Sequence, residues 1–228
     1  MRKRESTRQP AESAPTPEHQ AALRTLHDAV KSCGTFSPKK LGVRERDAIR
    51  SIIQGDHLTF RYILMTALLA KVVEPRSHMR SLQAGAKLTG AYDARSLCHN
   101  VWVPFEREHL DSRLGGSNEP FLNKPARFPA VEKTNAVRAG KDRDLLHVLY
   151  DLLESLNSAK PAHLREAFLL AMSVVMERAG RTRRELPLSA VTLTADALGD
   201  FLDTYLQSSF GGETPVSVVG AILRSSQG

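Results

Sequence analysis

The 228-residue sequence has only two cysteines, Cys33 and Cys98. They cannot build a disulfide framework or a four-thiolate zinc site, and this scarcity favours a reducing, cytoplasmic location. The longest apolar segment, residues 60–73, is about fourteen residues long and contains Arg61 and Lys71. A membrane-spanning helix needs roughly 20 apolar residues, so this segment predicts a buried core helix instead. The basic first residues are followed by polar residues and proline, so neither a secretion signal nor membrane association is predicted.

Patterns of common catalytic and metal sites are also missing. The eight histidines do not show the spacing of a zincin site, and Cys98 and His99 are neighbours that point to different helix faces. A common magnesium-dependent nuclease site needs two acids and a lysine two residues after the second acid, because the acids hold the metal that activates water. Glu132 and Lys133 are the nearest match, but the lysine follows directly and no strand pattern surrounds it. No catalytic residue or metal ligand is therefore predicted.

Positive charge exceeds negative charge along the chain. The 32 lysines and arginines stand against 25 acids, which gives a net charge of +7 and is compatible with a polyanionic partner. Residues 1–16 are polar, contain proline and lack large apolar side chains. Such a segment cannot offset its ordering entropy by burial, so a disordered basic tail is predicted there.

The rest of the chain, residues 17–228, has the apolar spacing of helices and no alternating strand pattern. We therefore predict an all-α fold, a single multi-helix globular domain with long polar loops. The segment that approaches position 110 contains Pro104, which predicts a kink or a break. The predicted helices cover residues 17–33, 44–53, 58–73, 92–110, 142–156, 162–179, 194–210 and 215–223.

Two polar segments interrupt this helical pattern, a first loop at residues 76–92 and a second loop at residues 112–135. Between Arg80 and Arg143 there are eleven basic and seven acidic residues. Arginine and asparagine can bind base edges, while lysine, serine and backbone amides can bind phosphate. The alternative is that the asparagines and glycines serve only the turns and the arginines form a solvated rim. The candidate DNA-binding residues in or beside these loops are Lys87, Tyr92, Arg95, Ser96, Arg113, Ser117, Asn118, Asn123, Lys124 and Arg127.

Several segments in order resemble the SacI family of type II restriction endonucleases. They read SLQAGA from position 81, GAYDARSLCH from 90, VPF from 103 and LGGSNEPFLNKPARF from 114. The resemblance covers about residues 60–178 and continues faintly to the C-terminus. It implies a bacterial restriction-modification protein of antiviral defence, which recognises a short sequence of double-stranded DNA and cuts it with magnesium.

The sequence lacks the acid–Lys signature that this family would be expected to carry in a further C-terminal region. We therefore expect this chain to be the recognition portion of such an enzyme. We expect no cofactor in this chain, and magnesium only where a nuclease segment is present. The expected partner is a separate nuclease subunit, or a second copy of the chain in a homodimer. One alternative is a complete magnesium-dependent deoxyribonuclease with an unconventional site involving Asp93, Glu119 or Glu132. Another is a non-catalytic protein-interaction module whose charge only aids solubility.

Overall fold

The computed structural model describes residues 17–34 and 36–178 of the protein. This part is all-α, as predicted from the sequence, and within it the only extended pairing is an isolated antiparallel bridge between Ser81 and Ala130. A π-turn covers Cys98–Trp102 and a short 3-10 turn covers Pro120–Leu122. The helices are α1 (Pro17–Cys33), α2 (Val43–Gln54), α3 (Leu58–Val73), α4 (Ala94–Leu97), α5 (Val103–His109), α6 (Lys141–Asn157) and α7 (Pro161–Glu177).

Part of the predicted architecture lies outside the described residues. This applies to the basic tail at residues 1–16 and to the helices predicted at residues 194–210 and 215–223. It applies equally to the portion of the predicted 17–228 domain that follows Arg178.

Helix α3 lies at the centre of the described fold and packs against α1, α2, α6 and α7. Every residue from Thr59 to Lys71 is buried, which is the burial expected of a helix that is apolar nearly all round. The two charged residues within it are satisfied by backbone carbonyls. Lys71, for example, donates to the carbonyl of Ser77 at 2.9 Å. No described helix combines the length and apolar character required to cross a membrane.

The surrounding helices each bury one apolar stripe against α3 and its neighbours. In α6, Leu146, Leu149 and Leu153 are fully buried at helical spacing. In α1, Ala22, Leu26, Ala29 and Cys33 are buried, while Leu23 and Val30 are only partly covered.

The segment before residue 110 forms one uninterrupted helical stretch over residues 94–109, in which a π-turn lies between α4 and α5. Pro104 has no N–H group, so it cannot donate to the carbonyl of Asn100 as a continuous α-helix requires. The π-turn at Cys98–Trp102 precedes it, and the N–H of Val103 donates to the carbonyl of Cys98 five residues earlier. The helix therefore does not break at Pro104, and a π-turn, a feature that is frequent at functional sites, lies directly before α5.

Candidate nucleic-acid interface

The two polar loops lie against each other. Ser81 of the first loop forms the antiparallel bridge with Ala130 of the second. The N–H of Gln83 donates to the carbonyl of Pro129 at 3.1 Å, and its side-chain amide donates to the carbonyl of Arg127 at 2.9 Å. Segments that are about fifty residues apart in the sequence thus form one continuous surface.

A buried carboxylate fixes the start of the second loop. Glu106, at the middle of α5, has no solvent exposure, and its carboxylate accepts hydrogen bonds from the N–H groups of Gly115 and Gly116 at 2.9 and 3.0 Å. The hydroxyl of Tyr62 donates to the same carboxylate at 2.5 Å and accepts from the N–H of Ser117 at 3.0 Å. Burial, reinforced by Glu106, raises the pKa of Tyr62, so this hydroxyl remains a donor. Together these groups form what we call the Glu106 anchor.

The loop backbone passes close to α3 at Gly115. Its φ of 132° is disfavoured for residues with a side chain, and a Cβ atom there would lie 2.1 Å from Leu58 Cδ1. Arg61 is buried beside it and donates to the carbonyls of Leu114, at 2.9 Å, and Gly55, at 3.1 Å. Burial lowers the pKa of this guanidinium. The glycine and the arginine therefore hold the loop tightly against the core.

Arg113, a predicted DNA-binding residue, is used to hold the second loop to α7. Its guanidinium donates to the carbonyl of Met176 near the end of that helix. In return, Arg178 donates to the carbonyl of Arg113 at 2.9 Å and to that of Ile53 at 2.7 Å. The side chain of Arg113 is 25% exposed, so the structure gives it an anchoring role.

Tyr92 and Ser96 also have roles within the fold. The hydroxyl of Ser81 donates to the carbonyl of Tyr92 at 2.9 Å and accepts from its N–H at 3.0 Å. Among the described residues the buried phenolic hydroxyl of Tyr92 has no hydrogen-bond partner, and burial raises its pKa. The N–H of Ser96 donates to the carboxylate of Asp93, which caps α4, and its hydroxyl accepts from the side chain of Asn100 at 3.1 Å.

Most of the other predicted residues are exposed. Arg95 and His99 both face the carboxylate of Glu119, and Asn118 accepts a hydrogen bond from Arg107. Arg127 donates through Nε to a loop carbonyl, and Ser117 is partly exposed. We call the exposed side chains of this region the loop surface: Lys87, Arg95, His99, Arg107, Asn118, Glu119, Asn123, Lys124 and Arg127.

Two members of the loop surface, His99 and Arg107, were not predicted from the sequence. Arg107 lies in the run Glu106-Arg107-Glu108-His109, which resembles an ordinary solvated helix face. Its link to Asn118 depends on how the second loop folds back onto α5. His99 follows Arg95 by four positions, and positions four apart in a helix lie on the same face. This spacing was the sequence signal that could have identified His99.

Each acid considered for an unconventional catalytic site has a partner within the fold. Asp93 caps α4, and Glu132 pairs with Arg80 at 2.5 Å. Glu119 faces Arg95 and His99. The described residues contain no group of three histidine, cysteine, aspartate or glutamate side chains that could hold a metal ion.

A family model for the SacI restriction endonuclease N-terminal domain matches residues 21–178. The chain belongs to this family. The matched region extends further towards the N-terminus than the resemblance predicted from the sequence, and it includes most of α1, both loops and the Glu106 anchor. No curated protein matches the chain at a significant level. Membership in the SacI family associates the chain with type II restriction, and hence with an enzyme that acts on DNA.

Proposed function

We propose that this SacI-family domain recognises a short duplex DNA sequence through the loop surface. The observation that carries the proposal is that exposed arginine, asparagine and lysine side chains project from two paired loops whose backbone is fixed to a buried core. A side chain selects a base well only when its backbone is held in place, because a loosely held side chain must be ordered on binding.

The members of the loop surface divide by chemistry into two roles. Arginine forks onto guanine and asparagine onto adenine in the major groove, so Arg95, Asn118, Asn123 and Arg127 are the proposed base contacts. Lysine provides a point charge suited to phosphate, so Lys87 and Lys124 are the proposed backbone contacts. Within this proposal Tyr92 and Arg113 support the loops and do not touch DNA.

The two roles predict different effects of substitution. Arg127→Ala should weaken binding to a selected duplex by about 1–3 kcal/mol and change binding to random DNA little, because the lost contact is specific to one base. Lys124→Ala should weaken binding to both duplexes equally and lower the slope of log affinity against log salt by about one unit. Affinities on both duplexes at two salt concentrations, with the melting temperature of each variant, measure this difference.

Arg165 and Lys160 provide matched controls. Both are exposed in the α7 region, away from the two loops in sequence. Arg165→Ala and Lys160→Ala remove the same charges and should leave both the affinity and the specificity ratio unchanged. Parental affinity of folded Arg127→Ala and Lys124→Ala proteins on both duplexes would contradict the proposed role of the loop surface.

We further propose that cutting uses residues other than those described, in this chain or in a separate nuclease subunit. In support, the described acids serve as caps and ion-pair partners and do not form a metal-binding cluster. DNA recognition by the loop surface would then need no metal, and magnesium would be required only for the cutting step. A homodimer would allow two copies of the loop surface to bind two half-sites.

A further inference from the structure

An acidic side chain lies within the basic loop surface. Glu119 is 39% exposed and is flanked by Arg95 and His99, which are 54% and 53% exposed. A carboxylate beside DNA repels phosphate, so this position reduces non-specific affinity unless the carboxylate accepts a hydrogen bond from a base. Its surroundings therefore determine what it can bind.

The carboxylate of Glu119 retains its capacity to accept hydrogen bonds. Its two oxygens lie 3.6 Å from Nη2 of Arg95 and 3.6 Å from Nδ1 of His99, and both distances exceed those of hydrogen bonds. No described residue donates a hydrogen bond to this carboxylate. An exposed ion pair with an N–O distance of 3.6 Å contributes little to the free energy of folding. Fold stability alone therefore does not explain why an acid is present at position 119.

Both partners of this pair start from fixed backbone. Glu119 follows the segment held by the Glu106 anchor and precedes the buried Pro120 and Phe121. Arg95 lies in the first turn of α4, two residues after the capping residue Asp93. The guanidinium donors of Arg95 and the carboxylate acceptor of Glu119 therefore lie side by side on two segments whose backbone is held in place.

We propose that Arg95 and Glu119 together read a single G·C base pair, with Arg95 on guanine and Glu119 on the amino group of cytosine. This inference rests on the proposed function, since it assigns base contacts within the loop surface. In a G·C pair the cytosine amino group donates to guanine O6 over about 2.9 Å, so an acceptor and a donor lie side by side on the major-groove edge. The separation of 3.6 Å between the Arg95 donor and the Glu119 acceptor matches that arrangement.

An A·T pair fits the same two side chains less well. It also presents neighbouring donor and acceptor groups, but thymine offers the guanidinium only O4 and places its methyl group beside it. Guanine offers N7 and O6 together, which a guanidinium fork binds at once. The pair of side chains therefore favours G·C over A·T.

The test removes single atoms from the base pair and from the protein. The full-length chain first selects duplexes from a library with a randomised centre. At each selected G·C position, 7-deazaguanine then removes the guanine N7 and 2-pyrimidinone removes the cytosine amino group. At one position each analogue should weaken binding of the parent protein by about 5- to 150-fold. The effect of 7-deazaguanine should fall below about twofold in Arg95→Ala, and that of 2-pyrimidinone should do so in Glu119→Ala, because the contact is already absent.

Charge-matched controls are Arg165→Ala and Glu18→Ala, both at exposed positions on other helices. In these proteins the analogues should weaken binding as strongly as in the parent. Enrichment of a sequence whose G·C positions show no coupling to Arg95 or Glu119 would overturn this inference and leave the proposed function standing. Failure to enrich any sequence would overturn the proposed function and this inference with it.

Discussion

Replacing Glu106 with alanine is expected to lower the free energy of unfolding by about 3–5 kcal/mol, although this residue lies in a run of charges. Its carboxylate accepts from three donors, the buried hydroxyl of Tyr62 and the partly buried N–H groups of Gly115 and Gly116. Each donor left without a partner costs about 1–3 kcal/mol. Urea unfolding followed by circular dichroism measures the change.

Two further variants distinguish the Glu106 anchor from a general effect of charge. Glu108 is an exposed acid on the same helix, and its carboxylate lies 3.8 Å from the ring nitrogen of His109. Glu108→Ala should therefore change the free energy of unfolding by less than about 0.5 kcal/mol. Tyr62→Phe removes one hydroxyl and should have an intermediate effect, since the carboxylate keeps its two glycine donors. Equal stabilities for Glu106→Ala and Glu108→Ala would contradict the anchor.

Leu68→Asp is expected to abolish cooperative folding. Leu68 is fully buried in α3, and an aspartate there would both leave a cavity and bury an unpaired charge. The combined loss should exceed about 5 kcal/mol, which is the lower end of the stability of ordinary domains. A thermal melt monitored by circular dichroism should show no sharp transition.

The matched control introduces aspartate at a solvent-exposed position of another helix. Val148 of α6 is 36% exposed, so Val148→Asp should cost about 1 kcal/mol or less. Leu68→Ala leaves the cavity without the charge and should lose about 2–5 kcal/mol while still folding. If Leu68→Asp melted like Val148→Asp, the central position of α3 would be wrong.

The helices could be predicted because their signals are local. The bounds of α3 agree with the prediction, since its apolar run is uninterrupted and Pro75 follows closely. Helix α7 was predicted within two residues at each end from its apolar face and from Gly180 in the sequence after it. No break occurs at Pro104, since residues 94–109 are helical throughout, and the π-turn before α5 was not predictable because it depends on packing as well as on the missing N–H.

The support of the loops could not be predicted, because it depends on tertiary contacts. Glu106 is followed in the sequence by Arg107 and Glu108, which favours a solvent-exposed helix face, yet it is fully buried. Likewise, nothing near Ser81 indicates that it pairs with Ala130 in the other loop. Such hydrogen bonds join residues whose approach is set by the whole core, and no local period encodes them.

The candidate residues divide for the same reason. Residue type and loop position were sufficient to select exposed side chains such as Lys87, Asn118 and Lys124. They could not separate these from Arg113 and Tyr92, whose polar groups turn inward to helix α7 or into the core. Composition indicates that a segment can bind, whereas the direction of each side chain follows from the packing around it.

The most direct test of the loop surface is amide hydrogen exchange of the full chain, with and without a duplex recovered by selection. Binding should slow exchange in residues 83–96 and 117–127, where the exposed side chains lie, while α6 should exchange as it does without DNA. A random duplex at the same concentration should give weaker protection of the same segments, because it retains the phosphate contacts and lacks the base contacts. Unchanged exchange in both loops at a DNA concentration that saturates the protein would contradict the proposed interface.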